Sequence, residues 1–390
     1  MNRFFQIFTM MLLTGCFAGC GGSSSTNATT NYALPIPLTN ISLPSQMGGA
    51  FQKPTPLPLA TTTATVNTFA GSTIGFTNNS TARLAAKFNH PISITTNGTD
   101  LYVADYNNNV IRKISTTGAP TPDKDASTIA TGFNQPAAIT MESTNLYIAD
   151  SGNFVIKKID LVTNAVTVLA GTAGTAGSLD AVGTAARFNQ INGITTDGKY
   201  LYVSDSDDTI RTVDITSGAV TTLAGTPGKA GSDDGIQSAA RFNQPANLTT
   251  DGTSLFVADF NNATIRRIVI ATGKVTTLAG ITGRHGMDDG PSTTATFFHP
   301  NGITTDGTYL YVTDYNDTSL PNPQYWSAIR KVEIATGKVT TIAGGISSTF
   351  PNSVDASGTS ARFTNPVGIT TDGLSLYVAD SGNNTIRRIE

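Results

Sequence analysis

One short tag recurs six times along the chain: "LYVADYNN", "LYIADSGN", "LYVSDSDD", "LFVADFNN", "LYVTDYND" and "LYVADSGN". Its aspartates are Asp105, Asp150, Asp205, Asp259, Asp314 and Asp380, spaced 45, 55, 54, 55 and 66 residues apart. Self-similarity at such a period means a repeat architecture, in which each unit buries its faces against its neighbours. The fourth copy shows what one unit contains. "ANLTT" reads as a strand, "DGTS" as a tight turn, "LFVAD" as a second strand and "FNNA" as another turn. "TIRRIVI", a Gly-containing bend and "VTTLAG" complete four antiparallel strands joined by hairpins. Many strand positions are apolar on both faces, which suits sheets stacked between other sheets. Tandem four-stranded sheets predict an all-β propeller, and the density of Gly and Thr argues against helical solenoids.

The sixth unit stops at Glu390 after three strands, and its missing fourth would read like "VTTLAG". Residues 66–71 read "VNTFAG" and precede the first complete unit. Gly71 and Phe88 are 17 residues apart, as are Gly171 and Phe188, Gly225 and Phe242, and Gly280 and Phe297. The N-terminal strand is therefore expected to complete the last sheet, closing a six-bladed ring and hiding two sheet edges.

These units resemble the NHL repeat, whose bacterial form looks like "ARFNQPxGITTDGxxLYVADxxNxxIRKI" followed by "TGxVTTLAG". The resemblance runs from Val66 to Glu390. Blade 2 departs from it with "MESTN" for "TTDG" and Lys157 for Arg, and blade 5 with "TFFHP" for "RFNQP". The connection between blades 1 and 2 is nearly absent. The family is a scaffold family, so the resemblance implies the fold far more firmly than any activity.

The segment "MNRFFQIFTMMLLTGCFAGC" places Arg3 ahead of an apolar run too short to span a bilayer, the pattern of a signal peptide. Leu13-Thr14-Gly15-Cys16 resembles a bacterial lipobox, and Phe17-Ala18-Gly19-Cys20 is a second candidate. The expected organisation is a lipoprotein signal and lipidation site over 1–20, a Ser/Thr/Pro-rich tether over 21–60 and the propeller over 61–390. These are the two cysteines of the chain, so no disulfide or thiol chemistry is expected in the propeller. With 24 Lys+Arg against 27 Asp+Glu and no basic run, nothing marks a nucleic-acid surface.

Residues repeated in every blade read as structural. Each tag aspartate is followed by a cation: Arg112, Lys157, Arg211, Arg266, Arg387 or, sixteen residues on, Arg330. A carboxylate at a strand end can accept backbone N–H groups and pair with that cation. Asp180, Asp234, Asp289 and Asp355 each stand eight residues before the Phe of the next blade and are expected to cap a short helical turn there. Histidine is scarce. His90 and His299 share one repeat position, filled elsewhere by Gln135, Gln190, Gln244 and Asn365, and the third, His285, does not match it. Peptidyl-amidating lyases, lactonases and strictosidine-synthase-like propellers resemble this architecture, which implies an alternative reading as a channel-centred metal-dependent enzyme. Glu142, Glu333 and Glu390, the only glutamates, fall at turns or strand ends. No catalytic residue, metal ligand set or cofactor motif is assigned.

The repeats differ most in blade 5, where "YNDTSLPNPQYWSA" adds nine residues and brings Tyr315, Tyr325 and Trp326, the single tryptophan, into one segment. Two readings stay open for it. Stiff aromatics on the loop-rich face suit a protein or carbohydrate ligand, and Trp326 can equally plug its own loop. The leading expectation is a lipid-anchored envelope scaffold with Tyr315, Tyr325 and Trp326 at its binding face. The membrane would be met through the anchor alone, at the outer membrane or cell surface.

Overall fold

A computed structural model describes residues 64–77, 83–116, 126–316, 325–347 and 353–390. Cys16, Cys20 and the tether fall outside these residues.

Six antiparallel sheets follow one another, and in each complete unit the strands lie in chain order. In blade 1 the strands are Pro91–Thr96, Asp100–Asp105, Val110–Ser115 and Ala126–Ala130. The first strand of each blade is innermost: those of blades 1 to 6 contact one another in a closed ring around the axis. Their approach is close enough to dictate residue type. A Cβ on Gly302 would stand 1.9 Å from the Val367 carbonyl oxygen of the next blade, so this position takes no side chain.

The second strands are buried almost throughout; Ser254–Asp259 is buried at every position. Each lies mid-sheet with a neighbouring blade on either side. One apolar cluster joins Tyr202, Ile210 and Leu223 of blade 3 to Phe242, Leu255, Val257 and Ile268 of blade 4. Five equivalent clusters fill the remaining interfaces. The core is thus a set of inter-blade layers, which is why no blade can keep its faces dry alone.

The ring closes as the sequence predicts. Thr65–Ala70 pairs with Thr385–Ile389, register Val66 with Ile389 and Thr68 with Arg387. The Thr65 and Glu390 backbones exchange hydrogen bonds of 2.9 and 3.0 Å. Val66 is wholly buried in the layer between blades 5 and 6, and Phe69 packs edge-on to Tyr377 at 5.2 Å in the layer facing blade 1. Gly71 ends this strand at φ +91°, where a Cβ would lie 2.7 Å from the Asn384 carbonyl oxygen. That contact accounts for the glycine after "LA" or "FA". Short strands Gly235–Ile236 and Ala356–Ser357 add a fifth, outermost position to blades 4 and 6.

The capping role expected of the aspartates ahead of the short helical turns is not found. Those turns begin after Val182, Ile236 and Ser357, and none has a side-chain cap. Asp180, Asp234, Asp289 and Asp355 instead reach into the following blade. Each accepts hydrogen bonds from the N–H and hydroxyl of a threonine on its outer strand: Thr222, Thr277, Thr341 and Thr68 respectively. The charge of a buried arginine draws them there. Thr68 occupies in blade 6 the place that Thr222 occupies in blade 3, so the N-terminal strand is equivalent to a fourth strand in its chemistry as well as its pairing.

Burying Val66 and Phe69 is worth about 1.5–3 kcal/mol each, against a typical domain stability of about 5–15 kcal/mol. Deleting Thr65–Ala70 is therefore expected to lower the denaturation midpoint substantially and to promote aggregation through the bared strand Thr385–Ile389. An unchanged midpoint in a chemical denaturation series would show that closure contributes little.

Candidate functional site

Each blade is held by a buried ion network. Asp259 and Arg266 have no exposed side-chain surface and meet at 2.8 Å. The other Asp259 oxygen accepts the Asn243 N–H at 2.8 Å, and Asn262 donates its amide at 2.8 Å. Arg266 also donates to the Arg241 carbonyl and to Asp234, and lies 5.3 Å from the Phe242 ring centroid. The same arrangement places Asp205 with Arg211 and Asp180, Asp314 with Arg330 and Asp289, and Asp380 with Arg387 and Asp355. Blade 1 has no aspartate in its leading connection, and there Arg112 pairs with Asp105 and donates to the Thr77 carbonyl. In blade 2 the leading connection has shrunk, and Lys157 needs only Asp150 and the Gly132 carbonyl. The lysine thus stands where the leading connection offers one acceptor, whereas Arg112 spreads its donors over the Lys87 and Thr77 carbonyls.

Blade 3 breaks the pattern. Asn153 and Asn262 each accept a glycine N–H from the next connection through their carbonyls, and Asp207 does the same from Gly228. Asn108, Asn153, Asn262 and Asn383 give an amide N–H to their tag aspartate, each at 2.8 Å. Asp207 in that place has no amide to give. It takes hydrogen bonds from Ser178 and Thr209 instead, and sets a second carboxylate beside Asp205. Burial first, then the Asp207 charge, pushes the Asp205 carboxyl up to about 8; Arg211 and the Asn189 N–H oppose them. Burial likewise pushes Asp105 up to about 6.

A different set of side chains gathers around the axis. A cavity of about 160 Å³ is lined by the inner strands, with Thr95, Thr140, Thr195, Thr249, Thr304 and Thr370 contributed one per blade. None of its lining residues is ionisable. Asn247 is part of this lining, and its amide lies 3.4 Å from Asn301, whose own amide lies 3.4 Å from the Tyr315 hydroxyl. Tyr315 meets Phe260 edge-on at 6.3 Å, and Phe260 stacks on His299 at 4.6 Å. His285 lies 5.1 Å from His299, its Nδ1 2.7 Å from the Phe298 carbonyl oxygen. Sequence reading misses this cluster because its members lie in two blades and the connection between them. One signal was available: the residue after the tag aspartate is Ser in blades 2, 3 and 6 but Tyr106, Phe260 and Tyr315 in the others. Ser151 and Ser381 donate to carbonyls of the following blade, contacts that an aromatic ring cannot make.

The structure does not unite His90 with His299. His90 contacts Tyr106 at 6.1 Å, and burial lowers its basicity. Among the described residues no three His, Cys, Asp or Glu side chains gather as metal ligands would. Tyr325 and Trp326 open the strand Tyr325–Glu333, and Trp326 pairs with Ile346 of Val339–Ser347. Trp326 is 7% exposed, accepts the Asn316 backbone N–H at its carbonyl, donates its own N–H to the Asn316 side-chain oxygen and faces Arg330 at 6.0 Å. Tyr315 and Tyr325 are half-buried.

These features can be set beside known proteins. No family model matches the chain. It is 30% identical over 193 residues to the bovine NHL repeat-containing protein 2, an alignment covering 45% of this chain and 25% of that protein. The six blades and their tags decide the repeat type. The chain is a six-bladed propeller of NHL-type repeats. It spans about a quarter of the length of the curated NHL proteins it matches. Two solved structures from Bacteroides thetaiotaomicron share the fold over 84% of this chain. One is a protein of unknown function, with TM-score 0.64, 20% identity and 75% of its own chain covered. The other is described as an auxiliary nutrient binding protein, with TM-score 0.63, 18% identity and 76% covered. A third from the same organism, whose description suggests a phosphatase, has TM-score 0.57, 16% identity and 79% covered.

Two outcomes follow from the ion networks of these NHL blades. Arg266→Met strands Asp259 uncompensated and is expected to cost about 3–5 kcal/mol, with part recovered in the double variant Asp259→Asn/Arg266→Met; urea denaturation of both checks it. Asp207→Asn restores the amide donor found in the other blades. Because the Asp205 pKa is raised above its unfolded value, its contribution is fully present in acid. It is lost as pH rises from about 4 towards about 8. The variant is expected to flatten that decline and to gain about 1–2 kcal/mol near neutral pH. Parallel pH–stability curves for the two proteins would disprove the clash.

Proposed function

We propose that this chain is a lipid-anchored cell-envelope protein whose NHL-type propeller serves as a binding or assembly scaffold for a protein or carbohydrate ligand. The observation that carries the reading is the loss of sixfold repetition at blades 4 and 5. There Phe260, His299 and Tyr315 form a continuous ring cluster and the hairpin of blade 5 is lengthened. A repeat scaffold binds where its repeats differ, and half-buried aromatics supply contact area at little entropic cost. The description of one structural neighbour as an auxiliary nutrient binding protein supports a binding role. Tyr315 and Tyr325 are assigned to ligand contact, with Trp326 holding the hairpin in place from its buried position.

The anchor follows from the Leu13–Cys16 motif, with Cys20 as the alternative lipid acceptor. The mature envelope protein is expected to begin at a lipid-modified cysteine; intact-mass analysis showing an unmodified N-terminus beyond Cys20 would remove the anchor from the proposal.

Binding is checked separately. Tyr315→Ala/Tyr325→Ala is expected to abolish crosslinked partner recovery from the native envelope with little change in melting. Trp326→Ala is expected to cost about 3–5 kcal/mol of stability, and recovery should fall only as folded protein falls. Full recovery by the tyrosine double variant would overturn the assignment.

A further inference from the structure

The inner strands carry paired threonines whose two members have different roles. The second of each pair is accounted for by the fold. Thr96, Thr196, Thr250, Thr305 and Thr371 donate their hydroxyls to the carbonyl four residues on, at 2.8 to 3.0 Å, fastening the hairpin turn. The first of each pair points the other way along the alternation of the strand and lines the axial cavity: Thr95, Thr195, Thr249, Thr304 and Thr370, with Thr140 in blade 2. Among the described residues no turn, cap or inter-blade bond employs their hydroxyls. Valine would match their shape and strand preference, so a hydroxyl repeated in six independent blades calls for a reason.

The cavity they enclose has three properties that restrict what fills it. It measures about 160 Å³, several times the share of one water molecule, roughly 30 Å³. Its lining holds Ser93, Asn247 and the six threonines as hydrogen-bonding groups and nothing ionisable, so a charged ligand would be desolvated without a counter-charge. One lining residue leads outward through side-chain contacts: Asn247 meets Asn301 and Asn301 meets Tyr315, which adjoins Phe260 and His299, none of these aromatic residues being part of the lining. Hydroxyls and a carboxamide satisfy a molecule bearing many hydroxyls.

We infer that the axial cavity binds a small, neutral, polyhydroxylated group of monosaccharide size, held by the threonine ring. This deepens the reading of the propeller as a binding scaffold and rests on it. Thr249 and Thr304 are the positions to alter, being nearest in sequence to Asn247 and to the aromatic side of the ring.

Ligand-observed saturation-transfer NMR on the full mature chain tests the inference. The neutral probes are glucose, galactose, N-acetylglucosamine and myo-inositol, and the charged controls are glucuronate and glucosamine. At least one neutral probe is expected to receive saturation and the controls none. Thr249→Val/Thr304→Val should weaken that binding about tenfold at an unchanged melting midpoint, and Thr249→Ser/Thr304→Ser should retain it. Silence from every neutral probe, equal binding of the charged controls, or valine and serine variants that bind alike would each overturn it, leaving the cavity as a site for water. If the envelope partner is still recovered while no sugar binds, only this inference falls. Loss of both removes the scaffold reading as well.

Discussion

A cation on the third strand, a buried guanidinium in five blades and Lys157 in blade 2, organises this molecule. In blade 4 it ties the second strand through Asp259, the third through Arg266 itself, and the incoming connection through Asp234, the Arg241 carbonyl and Phe242. Asp234 then holds the outer strand through Thr277. One charged group therefore fixes the mutual placement of four segments, and removing any partner leaves a buried polar group unsatisfied. The apolar layers between blades supply the bulk of the driving force but little orientation, since Val, Ile and Leu contacts tolerate sliding. The ion network gives each blade a single register relative to the connection that precedes it.

That requirement explains where the repeats vary and where they do not. Lysine fills the cation position in blade 2, where the short leading connection offers a single carbonyl, whereas Arg112 in blade 1 donates to two carbonyls. Glycine persists where the outer strand turns because backbone occupies the space of a side chain. Blade 3 sets the Asp207 carboxylate beside Asp205 where blades 1, 2, 4 and 6 have an asparagine, and it carries that departure with added hydroxyl donors from Ser178 and Thr209.

Much of the fold was legible in the sequence, because periodic tags and a 17-residue spacing encode blade number and closure without reference to contacts. The site was less so. A spacing of eight residues locates Asp180, Asp234, Asp289 and Asp355, but says nothing of arginines more than thirty residues further on, so local capping is the reading that chain proximity favours. Trp326 illustrates a second limit. Its neighbours in sequence leave an exposed rim and a plug of its own loop equally open, and it is the lengthened strands Tyr325–Glu333 and Val339–Ser347 together with the burial of Trp326 that favour the second. The stack of Phe260 on His299 joins two consecutive blades across a connection, a juxtaposition that their packing creates.

The same symmetry that makes the fold readable conceals the function. Six equivalent positions contribute to any feature on the axis, so a residue there resembles a structural repeat even when its side chain holds nothing in place. In five of the inner strands two adjacent threonines separate these cases by their bonds: one closes a turn and the other faces the axis. The rim of the ring separates them by difference. Serine after the tag aspartate bonds to the adjacent blade, so replacing it with an aromatic ring gives up a contact of the frame. The outer ion networks keep each blade's register independently of that contact. Side chains near the axis can therefore change while the frame that positions them stays fixed, and blades 4 and 5 are where that freedom has been used.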